Sequence, residues 1–450
     1  MTGHFDLVVA DDDAAGLCVA ACAARKGARV ALVRPEAKRP RTARAASAIP
    51  NFVWRRLDLQ KYDLSFSPVS AIVSLSADGE IVKTVESVAR SADDLETRGV
   101  SDFDVWSDFV REVDMMTRRT DRLRGEFALD EFGRAEGAGR ANGRINGASP
   151  IEDLAVLSHS CTDFLDDYFN DERMKTHVGA RALSAVGLGG AEPGSVVALA
   201  GVFAPSAWPV RSTMDAEDVE KALESACEEA GAEIFSAAVH AVKGAGEKFR
   251  IVALSDGQEL KTRYLFCASP DAARRAGLSP FAGAAFGAAS GAASATIRLK
   301  VSDDVVAPDG EDGAIFHLAD DLRELQAARD AVVEGRLPDT LPIEFQFSAP
   351  GEIIAYTAYC PDRFMEDGEA REWTSQDRQA LGARAIERLS SHLGGLGDKV
   401  VRSDVSIDGA YDGENAVSAE APDPRIIVQP ASVNTIAAAV TLADRLLHEH

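Results

Sequence analysis

The stretch Phe5–Val33, FDLVVADDDAAGLCVAACAARKGARVALV, decides the fold. Phe5–Ala10 is a short apolar run bounded by charge, the pattern of a buried strand. Ala14–Lys26 (AAGLCVAACAARK) reads as a helix of small residues, and Arg29–Val33 (RVALV) as a second strand. Strand, tight turn, helix and strand form the opening βαβ unit of a dinucleotide-binding fold, whose turn ordinarily reads G-x-G-x-x-G. In this chain the three glycine positions hold Asp11, Asp13 and Gly16. Gly16 occupies the position that lets helix and strand pack closely. The first two positions are those that let backbone N–H groups approach a pyrophosphate. The acidic residue expected about 20 residues later, which holds a ribose hydroxyl, falls on Arg34.

A helix N-terminus presents unpaired N–H donors and a partial positive charge. A phosphate satisfies them, and so do aspartates acting as N-caps. Asp11 and Asp13 are therefore expected to occupy the donors a diphosphate would use, and to repel that diphosphate. The same residues also suit an ordinary capped turn in a fold that never held a nucleotide. A divalent metal on Asp11–Asp13 is the weakest reading, because consecutive residues rarely converge on one ion.

The 450 residues, 46% of them hydrophobic, are enough to bury a large core and to divide into two domains. A net charge of −24 argues against nucleic acid and against an anionic membrane surface as partners. One stretch runs the other way: Arg25, Lys26, Arg29, Arg34, Lys38, Arg39, Arg41, Arg44, Arg55, Arg56 and Lys61 face only Glu36 and Asp58. A solvated face is preferred for it over a docking patch for an acidic partner. The six cysteines (Cys18, Cys22, Cys161, Cys227, Cys267, Cys360) lie mostly in apolar patterns and complete no metal motif, so they read as small core residues in a reducing compartment. The eight histidines (His4, His159, His177, His240, His317, His392, His448, His450) form no local pair with a nucleophile or ligand and read as surface or satisfied core residues. No G-x-S-x-G occurs, and aromatic residues are only 6% of the chain, which offers no hydrolase elbow and no base-stacking platform. With no signal-peptide pattern and no apolar run of membrane-spanning length, a cytoplasmic location is the expectation.

Outward from the opening unit, Pro35–Pro50 reads as a loop and Asn51–Lys61 as a helix. Ser67–Leu75 and Glu80–Val85 read as strands joined at Asp78-Gly79, a hairpin signal. Helices are expected over Asp102–Leu129, Ile151–Asn170, Asp171–Ala182 and Ser195–Phe203, with a glycine-rich linker at Gly133–Ser149. Ser212 with Asp215 has the spacing of a capping box before the helix Asp215–Ala230, whose inward face is Val219, Leu223, Ala226, Cys227 and Ala230. Glu233–Phe235, Phe249–Leu254 and Leu260–Cys267 read as a β-meander turning at Ser255-Asp256-Gly257. Strands are expected at Ala295–Val301, Ala314–Leu318, Ile343–Phe347, Ile353–Tyr359 and Arg425–Gln429, and helices at Leu322–Val333, Ser375–Leu393 and Ser432–Leu447.

Several strings in this order are similar to the phytoene desaturase-like family of FAD-dependent oxidoreductases, nearest the branch of pyridine nucleotide-disulfide oxidoreductase domain-containing protein 2. The family's opening, roughly D-V-I-V-V-G-A-G-H-N-G-L, resembles Asp6–Leu17, and its L-E-L-K-R-Y-G-L resembles Leu57–Leu64. A P-D-G hairpin follows there and Ala77-Asp78-Gly79 here. The S-P-G-S turn resembles Glu192–Ser195, and V-R-G-G-M-G resembles Val210–Asp215. The resemblance, which runs along most of the chain, implies an α/β, Rossmann-like FAD/NAD(P)-binding fold of the phytoene desaturase/amine oxidase type with two interleaved domains. Residues 1–50, 205–280 and 400–450 would form the dinucleotide-binding-type domain, and 51–204 with 281–399 an α+β substrate-type domain.

The same resemblance isolates what differs. Asp11, Asp13 and Arg34 stand at phosphate and ribose positions, and Ser212, Thr213 and Asp215 replace the glycines of V-R-G-G-M-G. Glu36–Ile49 lacks the family's G-G motif. The closing strand runs into Gln429–Asn434 without the family's flavin-contacting C-G-x-x-T-H-P-G-G-G-V-x-G, and a segment near Asp412–Pro424 is shortened. The expectation is a flavin-free pseudoenzyme, Gly16 being the surviving motif glycine, that serves as a subunit or scaffold for a protein partner, for example an intact flavoenzyme homologue, or for a second copy. An active FAD-dependent oxidoreductase on an isoprenoid or lipid-like substrate, and a binder of an apolar small molecule, are the alternatives.

Overall fold

The computed structural model describes residues 3–10, 14–34, 51–62, 66–117, 158–184, 186–199, 202–203, 208, 210–212, 216–244, 249–267, 276, 292–408 and 426–428. Two seven-stranded sheets organise them.

The first sheet grows from β1 (Gly3–Ala10), which pairs in parallel with β2 (Val30–Arg34) across helix α1 (Ala14–Arg25), the expected βαβ unit. Every residue of α1 from Ala14 to Ala24 is buried. Its alanines, Gly16 and two cysteines leave room for a second helix on the same side of the sheet, α7 (Ala216–Glu229). Val219, Leu223, Ala226 and Cys227 of α7 are fully buried against it, as their spacing implies. The Cys227 thiol donates to the Leu17 carbonyl at 3.3 Å. Burial pushes the Cys227 and Cys161 thiols up to about 12, so they remain protonated core groups. All six cysteines are free and buried.

The order of the first sheet is β7-β2-β1-β10-β9-β8. β7 (Glu233–Ser236) extends the parallel side by pairing with β2, so it leaves the expected meander. That meander consists instead of β8 (Val239–Gly244), β9 (Arg250–Leu254) and β10 (Glu259–Cys267). β10 pairs with β9 over its first half and in parallel with β18 (Ile426–Val428) over its last three residues.

The second sheet has the order β17-β11-β14-β13-β12-β4-β5. The Asp78-Gly79 signal closes its edge hairpin, β4 (Ile72–Leu75) with β5 (Ile81–Thr84), and Gly79 takes φ +85° there. The run beginning at Ser67 splits, because β3 (Phe66–Pro68) pairs separately with β6 (Val210–Ser212). β11 (Ala292–Val301), β12 (Ile315–Leu318), β13 (Ile343–Ala349) and β14 (Glu352–Pro361) lie where alternation places them. β17 (Val400–Asp408), unforeseen in the sequence, pairs with β11 and so carries residues 400–408 into this sheet.

One face of the second sheet is apolar. Ile297, Leu299, Phe316, Phe345, Ile353 and Ala355 pack there with helix α9 (Ser375–His392), capped by a box of Thr374 and Asp377. The other face meets a helical layer: a helix over 106–117, α5 (Cys161–Tyr168), α6 (Glu172–Leu183) and α8 (Leu322–Val333), joined around Trp106, Phe109, Phe164 and Phe169. Ser195–Leu199 is a single 3-10 turn rather than an α-helix. The expected helix Ser432–Leu447, the linker Gly133–Ser149 and the loop Pro35–Pro50 lie outside the described residues. No helix among the described residues is long and apolar enough to cross a membrane.

Leu223→Ala should destabilise the protein by about 2–5 kcal/mol through the cavity left between α1 and α7. Lys221→Ala, on the solvent side of the same helix, should stay within about 0.5 kcal/mol. Urea unfolding of the two variants measures the contrast.

Candidate functional site

The first site lies where β1 and β2 end. Ala10, the last residue of β1, runs opposite Val33, one before the end of β2, and it is at this edge that a dinucleotide ordinarily meets such an opening unit. Gly16 is buried in the first turn of α1. Asp11 and Asp13, between β1 and α1, lie outside the described residues, as do Thr213 and Asp215. Ser212 is the last residue of β6, opposite Phe66, and α7 begins at Ala216. Ser212 is therefore a strand residue and not the N-cap that the S-x-x-D spacing suggested, since strand pairing with β3 captures its backbone first.

Arg34 closes β2, and its guanidinium is paired with Glu224 of α7. At this position a ribose diol requires an acceptor carboxylate. A guanidinium is a donor only, and this one is held by an acid. Arg34, so paired, is not the acceptor that the fold ordinarily places at the end of this strand.

The Arg34 pair belongs to a wider clasp. Lys61 pairs with Glu229, and Tyr62 Oη donates to the same carboxylate at 2.7 Å. Arg29 reaches Glu233 at 3.1 Å, and Arg25 Nη1 donates to the Arg56 carbonyl at 2.7 Å. Three described cations of the basic stretch, Arg29, Arg34 and Lys61, thus meet acids of residues 216–236, and Arg25 meets a backbone carbonyl. Lys38, Arg39, Arg41 and Arg44 lie outside the described residues.

A second polar site, not foreseen in the sequence, crosses the second sheet. The register sets Thr296 of β11 opposite Tyr356 of β14, Tyr356 opposite Glu344 of β13, Glu344 opposite His317 of β12, and His317 beside Ser74 of β4. Five adjacent strands thus place five polar side chains abreast on the face turned from α9. They are buried: Thr296 2%, Tyr356 8%, Glu344 9%, His317 1% and Ser74 7% exposed. Helix α6 lays two more groups over the row. Arg181 Nη1 donates to Glu344 at 3.1 Å, and His317 Nε2 lies 3.9 Å from the same carboxylate.

His177 sits between Ser74 Oγ, 2.9 Å from Nδ1, and Thr84 Oγ1, 3.0 Å from Nε2. A neutral imidazole donates through one nitrogen and accepts through the other, and hydroxyls serve in either role. Burial, with His317 and Arg181 nearby, lowers its pKa to about 3. His177 is thus the satisfied core histidine that the sequence reading favours. A signal for the row existed: polar residues alternate with apolar ones, as Ser74 and Ser76 do in Ala71–Ser76 (AIVSLS) and Glu344 and Gln346 in Ile343–Phe347 (IEFQF). Their alignment depends on register, which no single strand reports. Among the described residues no group of three or more histidine, cysteine or acidic side chains is placed to hold a metal.

No protein-family model and no curated protein matches the chain. Solved structures do match over its whole length. Putrescine oxidase bound to putrescine aligns with TM-score 0.52 and 13% identity, covering 100% of this chain and 99% of that one. Cyclohexylamine oxidase from Brevibacterium oxydans aligns with TM-score 0.54 and 11% identity over 99% of both chains. A Rab GDI from Plasmodium falciparum aligns with TM-score 0.51 and 10% identity, covering 100% and 99%. The chain therefore has the mixed α/β fold of the FAD-dependent amine oxidases, a fold also taken by a Rab GDI.

Two outcomes follow from these geometries. Because the folded pKa of His177 lies below its unfolded value of about 6.5, its contribution to stability is complete above pH 6.5 and is lost as pH falls toward 3. Urea midpoints should therefore drop between pH 6.5 and 4.5 in wild type, and His177→Gln should flatten that slope. Asp171, held down to about 2 chiefly by Arg173, acts only below about pH 4 and leaves the window clear. A double-mutant cycle on the half-buried Arg34–Glu224 pair should give a coupling of about 0.5–1 kcal/mol, falling with added salt.

Proposed function

We propose that this chain is a flavin-free, non-catalytic member of the FAD-dependent oxidoreductase fold that acts by binding. The observation that carries the reading is the Arg34–Glu224 pair, a donor-only cation tied to an acid where the fold ordinarily offers a ribose acceptor. The sequence departures agree with it: Asp11 and Asp13 set like charges against a diphosphate, and Ser212, Thr213 and Asp215 replace a glycine turn. The Rab GDI shows that a chain of this shape is not always named for an oxidation.

The protein should purify colourless and take up no FAD on reconstitution. Stoichiometric flavin released on denaturation, measured by absorbance, would overturn the reading. Asp11→Gly with Asp13→Gly should not restore tight FAD binding, because Arg34 and the turn after Ser212 remain. A yellow double variant would show that the two aspartates alone block the site.

The binding role proposed is as a subunit or scaffold, with a protein partner or a second copy of the chain. What supports a charge-steered partner is the run of like charge in the sequence at Arg39, Arg41 and Arg44. Charge reversal at those three residues should weaken association in a salt-sensitive way in sedimentation and pull-down. A monomer unaffected by reversal would favour a small-molecule ligand instead.

A further inference from the structure

β17 (Val400–Asp408) is an edge strand: it pairs with β11 on one side, and among the described residues no strand pairs with the other. In an antiparallel pair alternate residues turn their N–H and C=O away from the neighbour, so the outer side presents a row of backbone donors and acceptors. Such edges are ordinarily blunted by shortness, lysine, proline, a bulge or a covering element. The opposite edge of this sheet, β5, is four residues long and buries Val82 and Thr84. β17 has nine residues and neither lysine nor proline. A bulge leaves Val401 without a partner, but from Arg402 to Asp408 the pairing with β11 is unbroken.

The exposed end of this strand is open on both sides. Val401 is 70% exposed, the Arg402 and Asp404 side chains 71% and 55%, and Ser403 between them is exposed too. Successive residues point to opposite faces, so neither face of β17 is covered here. The backbone is nonetheless fixed at its start: Ser302 N–H donates to the Lys399 carbonyl at 3.0 Å, and Lys399 Nζ lies 2.8 Å from Asp304. An ordered edge loses little freedom when it docks.

The charges select the occupant. Arg402 and Asp404 lie on one face with Nε and Oδ2 2.9 Å apart. Across the ladder Arg402 stands opposite Lys300, a like charge, and Asp404 opposite Arg298. A second β17, laid antiparallel on the outer edge with Ser403 opposite Ser403, sets Arg402 of each copy opposite Asp404 of the other. Val405 of each then lies beside the exposed Val401 of the other. Centring the pair on Arg402 or on Asp404 would set like charges face to face, so the charges choose the register as well as the partner.

We propose that β17 is a self-association edge, through which two copies of the chain join their second sheets antiparallel about a twofold axis at Ser403. The proposal rests on the reading that this chain acts by binding, and deepens it by naming a second copy as the partner and β17 as the surface.

The test is sedimentation velocity of the full chain over about 1–100 μM, the range in which a small interface is read. About 0.15 M salt screens the repulsion between two chains of net charge −24. Wild type should shift from the mass of a monomer to that of a dimer as concentration rises. Arg402→Asp and Asp404→Arg each set like charges opposite one another twice, and each should raise the dimer dissociation constant about tenfold or more. Mixing the two variants restores an Asp–Arg match at both positions, although neither chain keeps its internal pair. The mixture should therefore dimerise about as tightly as wild type. Both side chains are largely exposed, so each variant should keep its melting temperature within about 2 °C of wild type, which separates lost association from lost fold. A wild type still monomeric at the highest concentration, single variants that dimerise as tightly as wild type, or a mixture no tighter than its components would overturn the proposal. Flavin absorbance on the same samples tests the flavin-free reading separately: a yellow dimer refutes that reading and keeps this proposal, and a colourless monomer does the reverse.

Discussion

Close contact between two helices of small residues is the constraint on which the first half of the molecule depends. α1 can be buried along its length only because Gly16, its alanines, Cys18 and Cys22 present little bulk. α7 answers with Ala222, Ala226 and Cys227, and the thiol of the last bonds the Leu17 carbonyl. Interiors of this kind are close-packed, so the pair tolerates little change in volume. Arg34, Lys61 and Arg29 then pair with Glu224, Glu229 and Glu233 around the margin of the contact. Each exposed or half-exposed pair contributes little by itself; Arg34 and Lys61 tie α7, and Arg29 ties β7, to the opening stretch. Arg34, the last residue of β2, is drawn into that arrangement.

The second sheet works under a different constraint. Its α9 face is apolar and determines the register, since a slip by one residue would turn Phe316, Phe345 and Ile297 away from α9. Once that face is set, the opposite face follows, and five polar side chains fall into line. One neutral imidazole, His177, ties α6 to the β4–β5 hairpin, and the Arg181–Glu344 ion pair ties the same helix to β13.

The amino-acid sequence by itself determined the opening βαβ unit, the inward face of α7, the Asp78-Gly79 hairpin and most strands of both sheets. Each of these is local: periodicity, a turn dipeptide or a run of small residues carries the information within a dozen positions. It also set Asp11, Asp13 and Arg34 where the ordinary dinucleotide-binding pattern has two glycines and an acid. Only the tertiary structure decided that β7 joins β2 rather than the meander, that Ser212 is a strand residue, and that Arg34 is answered by Glu224 from 190 residues away. The polar row is of the same kind. Thr296, Tyr356, Glu344, His317 and Ser74 lie in five separate strands, and strand pairing brings them together. Register is a property of pairs of strands, held by the packing of the opposite face, and no single strand carries it.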